Sequence, residues 1–207
     1  MPEHLNKGAQ SRGEAVGEER VHMDNPSAET VIAQAIVQFG RSSASDADEI
    51  LLLCVGTDRS IGDALGPLIG SQLAALVDRP YGVLGTLENP VHASNLVTTV
   101  TALNGLGKQP FILAVDACLG RTESVGMLTV GVGSLRPGAG VNKSLPPVGH
   151  VYVTGIVNVG GFMEYYVLQN TRLSLVMQMA RVAAGGIRKG LEALAGSSRR
   201  AVSGELS

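Results

Sequence analysis

Two stretches of this chain are apolar at nearly every position, Ile50 to Val55 and Phe111 to Val115. Each is too short for an average helix and rich in branched side chains, so each reads as a strand buried on both faces, as in a parallel sheet. Tyr81 to Thr86 is a weaker strand, Met127 to Val132 alternates and ends in Gly133, and Val151 to Val157 reads as the last strand. Between these runs the spacing turns helical. Val31, Ile32, Ala35, Ile36 and Phe39 form one apolar stripe, which predicts a helix from Ser27 as N-cap through Gln38, stopped by Gly40. Further helices are predicted over Leu65 to Leu76, opened by Asp63, and over Ser94 to Leu103. The last runs from Glu164 towards Leu194, either unbroken or interrupted near Gly185 and Gly186. Strands alternating with helices across short turns predict a three-layer α/β fold.

The remaining segments are polar. Residues 1–25 lack periodicity and are expected to be a disordered tail, and 197–207 a flexible polar one, which leaves a single α/β domain over 26–196. The long loop 134–150 is of a length usually reserved for function. Composition narrows the functional classes. Sixteen basic against eighteen acidic residues leave no electrostatic footprint for nucleic acid or an anionic membrane. No apolar run reaches the length of a membrane span, and the start of the chain has no apolar core of a signal peptide. Two cysteines do not make a disulfide framework, so a cytoplasmic setting is expected.

The candidate chemistry sits where the two apolar strands end. Asp63 follows the first through the Gly-bearing loop 56–62, and Asp116 follows the second directly. Ligands of open α/β sheets bind at that edge. Two carboxylates there offer proton-sharing acid–base hydrolysis, or oxygen ligation of a divalent cation. Helix capping is the plain alternative for Asp63, and a turn bond for Asp116. Asp58, Arg59 and Ser60 line the same loop. Arg59 is expected either to pair with Asp58 or Asp63, to clamp a substrate carboxylate, or to stay solvated. The loop has neither the Gly-x-Gly-x-x-Gly nor the Gly-Lys-Ser/Thr pattern, which removes dinucleotide and P-loop readings. His92 and His150 belong to no ligand spacing and read as structural. Cys54 and Cys118 read as buried small residues, and Met163, Met177 and Met179 as core fillers.

GTDRSIGDALGP (56–67), YGVLGT (81–86), ILAVDACLGR (112–121), LRPGAGVNK (135–143) and VTGIVNVGG (153–161) together resemble the YyaC-type sporulation proteins, relatives of the spore germination protease. The layout is more distantly similar to the hydrogenase maturation endopeptidases. The resemblance implies a phosphorylase/hydrolase-like sandwich around a mixed five-stranded sheet with one antiparallel strand, for which Met127 to Val132 is the candidate. It also implies a sporulation- or germination-associated peptidase acting on a protein or peptide substrate, with Asp63 and Asp116 as the catalytic aspartates. Asp58, Arg59, Ser60, Asn142 and Asn158 are the expected supporting or substrate-binding residues. In the maturation endopeptidases the corresponding acids bind a metal together with a later histidine. No motif supplies that third ligand here, so no cofactor is expected, with a divalent cation at Asp63 and Asp116 as the alternative. A non-catalytic binding factor and a metal-dependent processing protein compete with the peptidase reading, and a homodimer is the expected assembly.

Overall fold

The computed structural model describes residues 17–105, 107, 109–137 and 145–204. In chain order these form β1 (Glu18–His22), α1 (Ala28–Ser45), β2 (Glu49–Cys54), α2 (Leu65–Ala74), β3 (Gly82–Leu84) and α3 (Leu96–Asn104). Then follow β4 (Pro110–Gly120), β5 (Met127–Val132), β6 (Val151–Val159), α4 (Glu164–Gln169) and α5 (Leu173–Gly204). One mixed sheet has the order β1-β5-β6-β4-β2-β3. β5 is antiparallel to both of its neighbours, and the other strands run in one direction. The alternating pattern of Met127 to Val132 therefore does mark the one reversed strand.

Both faces of the sheet are covered. On one, Leu52, Cys54, Leu113 and Val115 pack with residues of α1, α2 and α5, including Ile32, Ile69 and Ile187. On the other, Leu51, Leu53, Ile112 and Ala114 pack with Leu96 and Leu103 of α3 and with Leu135 and Val148. Strands covered on both sides must be apolar on both sides, which is why β2 and the first half of β4 read as continuous apolar runs.

Several expectations need correction. The sheet has six strands, not five, because Glu18–His22 lies inside the expected N-terminal tail. Only Val21 of that strand is buried, and it docks along β5 at the sheet's rim, so it carries almost no apolar signal. α1 continues five residues past Gly40 to Ser45. That glycine is no terminator, since a Cβ there would lie 2.9 Å from the Phe111 ring and it is the place where helix and sheet approach closely. Ser27 precedes α1 as predicted but makes no side-chain cap. α5 does not break at Gly185 and Gly186 and runs on through the expected C-terminal tail to Gly204. A Cβ on Gly186 would meet Ile32 at 2.7 Å, and one on Gly190 would meet Ile36 at 2.9 Å. The glycines let α1 and α5 pack backbone to backbone, which compensates the roughly 1 kcal/mol each costs in a helix interior. The break in the helical pattern falls instead between α4 and α5, at Asn170–Arg172.

Candidate active site

β2 sends its connection, α2, to one face of the sheet and to the neighbour β3. The chain then returns through α3 on the opposite face to β4, on the other side of β2. The carboxyl ends of β2 and β4 therefore flank the point at which the strand order reverses, where open α/β sheets form a crevice. Asp63 follows β2 and Asp116 lies on β4.

The local structure explains how each acid gets there. The ladder between β2 and β4 ends with Cys54 opposite Val115 and a bond from the Val55 N–H to the Val115 carbonyl, 2.7 Å. Gly56 then turns its N–H away to Val91 (2.8 Å), and the Thr57 N–H donates to the Asp63 carbonyl (3.2 Å). The loop folds back on itself, and its last turn, the 3-10 segment Gly62–Ala64, packs against β4. Gly56 has φ +146°, and a Cβ there would sit 2.1 Å from the Asp63 carbonyl oxygen, so the closure requires glycine. Asp63 is not the N-cap of α2. Ala64 flanks that helix, without a side-chain cap, and Asp63 sits in the turn before it.

Asp116 is not at the end of its strand as the apolar pattern suggests. β4 continues to Gly120, pairing with β6, and Asp116 stands opposite Thr154 of that strand. On the other side β2 stops one residue short of it, so this part of β4 borders the open crevice. Oδ1 of Asp116 accepts the Ala117 N–H at 2.8 Å, and both Asp63 and Asp116 are half-buried.

The other candidates separate. Asp58 and Arg59 are exposed, and Arg59 forms no ion pair among the described residues. Ser60 is buried, and its Oγ has no hydrogen-bond partner among the described residues. Asn142 lies outside the described residues. Asn158 stands opposite Leu119 across a bulge at Val157, which turns its side chain towards α4 and α5. Its amide donates to the Val167 carbonyl (3.3 Å) and the Thr171 hydroxyl (3.2 Å), which makes it a tie between β6 and the α4–α5 corner. The same corner packs on the Asp63 turn, since a Cβ on Gly62 would lie 2.7 Å from Leu168 and 3.0 Å from Thr171 Oγ1.

His92 reads as structural in the sequence, which does not show where it sits. Val91 bridges Val55 in parallel, which puts His92 at the same crevice edge, at the start of α3. Its Nδ1 accepts the Ser94 N–H at 3.3 Å, which leaves Nε2 as the protonated nitrogen of the neutral ring. The bridge to β2 is a long-range feature, and the only local signal was the run of turn residues before α3. His150 lies at the far end of the strands, stacked on Phe111 and accepting the Ile112 N–H. Cys54 is buried, which pushes its thiol far above the usual range, whereas Cys118 is only half-buried. Met179 is buried, but Met163 and Met177 are about half exposed and fill no core. Among the described residues no group of three or more His, Cys, Asp or Glu could hold a metal ion. No helix among the described residues is long and apolar enough to cross a membrane.

Comparison with known proteins matches residues 20–186 to a family described as Protein of unknown function (DUF1256). The chain belongs to this family. Uncharacterized protein YyaC of Bacillus subtilis (strain 168) is 56% identical over 138 residues, 67% of this chain and 67% of that protein. Among solved structures, the [NiFe] hydrogenase maturation protease HycI from Thermococcus kodakarensis KOD1 aligns with 73% of this chain and 97% of its own, at 18% identity and a TM-score of 0.46. The family match spans both acids, the loop between Gly56 and Gly62, and the α4–α5 corner.

Proposed function

We propose that this family member is an aspartate-dependent peptidase, with Asp63 and Asp116 as its catalytic pair. The observation that carries the reading is the reversal of strand order between β2 and β4, with one carboxylate-bearing segment on each side of it. Two carboxylates in one crevice share a proton, because both cannot ionise side by side. The ionised member takes a proton from water, which attacks the scissile carbonyl, and the protonated member delivers its proton to the leaving amine. The bond from the Ala117 N–H to Asp116 Oδ1 holds that carboxylate in orientation. The motif resemblance to the spore germination protease supports a protein substrate of the sporulation or germination programme, in the cytoplasm.

The test is to incubate the full chain with an unfolded protein mixture and sequence the new termini by mass spectrometry. The reading predicts new termini that vanish in both Asp63→Asn and Asp116→Asn. It is overturned if either variant cuts as well as the parent. A factor that binds peptides without cutting is the second reading, favoured by the exposed apolar corner described next. Absence of new termini with retained peptide binding would select it.

A further inference from the structure

Seven of the eleven large apolar residues exposed among the described residues lie between Val159 and Met177. They include Phe162, 90% exposed, Met163, Tyr165 and Tyr166. The chain has only seven aromatic residues, so three of them standing in solvent on one corner is a concentration that folding does not explain. The corner holds a groove of about 470 Å³, lined by Phe162, Met163, Tyr166, Val167, Asn158 and Asn170 among others, with no charged side chain. The lining itself is uncharged and mostly apolar, with the Glu164 carboxylate at its edge accepting the Gly161 N–H at 3.4 Å, and such a concavity takes an apolar group.

The groove is continuous with the crevice by two routes. Asn158 on its wall pairs with Leu119, three residues beyond Asp116 on β4, which is roughly 10 Å along a strand. Val167 and Asn170 flank Leu168 and Thr171, against which the Asp63 turn packs through Gly62. An extended peptide crossing the crevice would therefore reach the groove after about three residues.

We infer that this groove is a specificity subsite, holding a large apolar side chain of an extended polypeptide about three residues from the bond at the aspartates. This rests on the peptidase reading for the position of the scissile bond, while the binding itself is independent of cleavage. Exposed aromatic and Met side chains beside a neutral pocket supply the contact surface.

The experiment uses the full-length Asp116→Asn chain and the tryptic peptides of reduced, carboxymethylated casein, with retained peptides identified by mass spectrometry. Peptides rich in Leu, Met or Phe are expected to be retained, and retention to fall about tenfold when Phe162→Ser is added. Phe162 is exposed, so this change leaves the core intact. No retention, retention without apolar enrichment, or retention unchanged by Phe162→Ser would overturn the subsite. So would a dimer that Phe162→Ser dissociates while peptide retention stays the same, since a second copy would then be the occupant. Cutting of the same peptides by the parent chain separates the two ideas. Phe162-dependent retention without cutting ends the peptidase reading alone, and cutting indifferent to Phe162 ends the subsite alone.

Discussion

The Thr57 N–H donates to the carbonyl of Asp63 across 3.2 Å, and that bond stands where the ladder between β2 and β4 would otherwise continue. It closes the loop after β2 and brings the turn bearing Asp63 against the strand bearing Asp116.

Gly56→Ala should cost more than Gly161→Ala. Both glycines have a φ near +147°, at +146° and +148°, which strains any other residue by about 1–3 kcal/mol. A Cβ on Gly161 meets nothing within 4 Å, whereas one on Gly56 lies 2.1 Å from the Asp63 carbonyl oxygen. Urea unfolding should place Gly56→Ala about 2–4 kcal/mol below the parent and Gly161→Ala about 1 kcal/mol below it. Equal losses would mean that the loop yields without cost.

Ser60→Ala should be neutral or stabilising by about 1 kcal/mol. A buried hydroxyl without a partner carries its desolvation cost uncompensated, and the change removes it. A loss of more than about 1 kcal/mol in thermal or chemical unfolding would show that the hydroxyl is hydrogen-bonded in solution.

Stability should fall at alkaline pH. Burial raises the Cys54 thiol above its unfolded range, so the unfolded chain loses this proton first. The folded state then binds more protons than the unfolded one, and stability declines by about 1.4 kcal/mol per pH unit above roughly pH 8.5. Tyr81, raised chiefly by burial, adds a further decline from about pH 10. Denaturant titrations of the parent and Cys54→Ala should differ in slope between pH 8.5 and 10. Parallel slopes would contradict the assignment.

Much of this was legible in the chain, and the exceptions have physical reasons. β2 and β4 announced themselves because Leu52 and Leu53 face opposite helical layers and both must be apolar. The extension of β4 past Val115 was hidden, since Asp116 to Gly120 pair with β6 by main-chain bonds that no side-chain pattern records. β1 was hidden because one buried Val is no periodicity. Gly40, Gly185 and Gly186 misled, because a glycine at a close contact between elements looks in sequence like a glycine at a helix end. Asp63 and Asp116 could be picked out from their strands. The place of His92 at the crevice edge and the Phe162 corner could not, since the first depends on the Val55–Val91 bridge and the second on what stays uncovered.

The central claim is that Asp63 and Asp116 work as one site. Carbon-detected NMR titration of both carboxyls, in the parent and in Asp116→Asn, tests it without any knowledge of the substrate. A shared site predicts two coupled steps in the parent, and a midpoint for Asp63 that moves by about one unit or more when Asp116 is neutralised. A midpoint that moves by less than about 0.2 units would mean that the two acids titrate as strangers, and the pair would not exist.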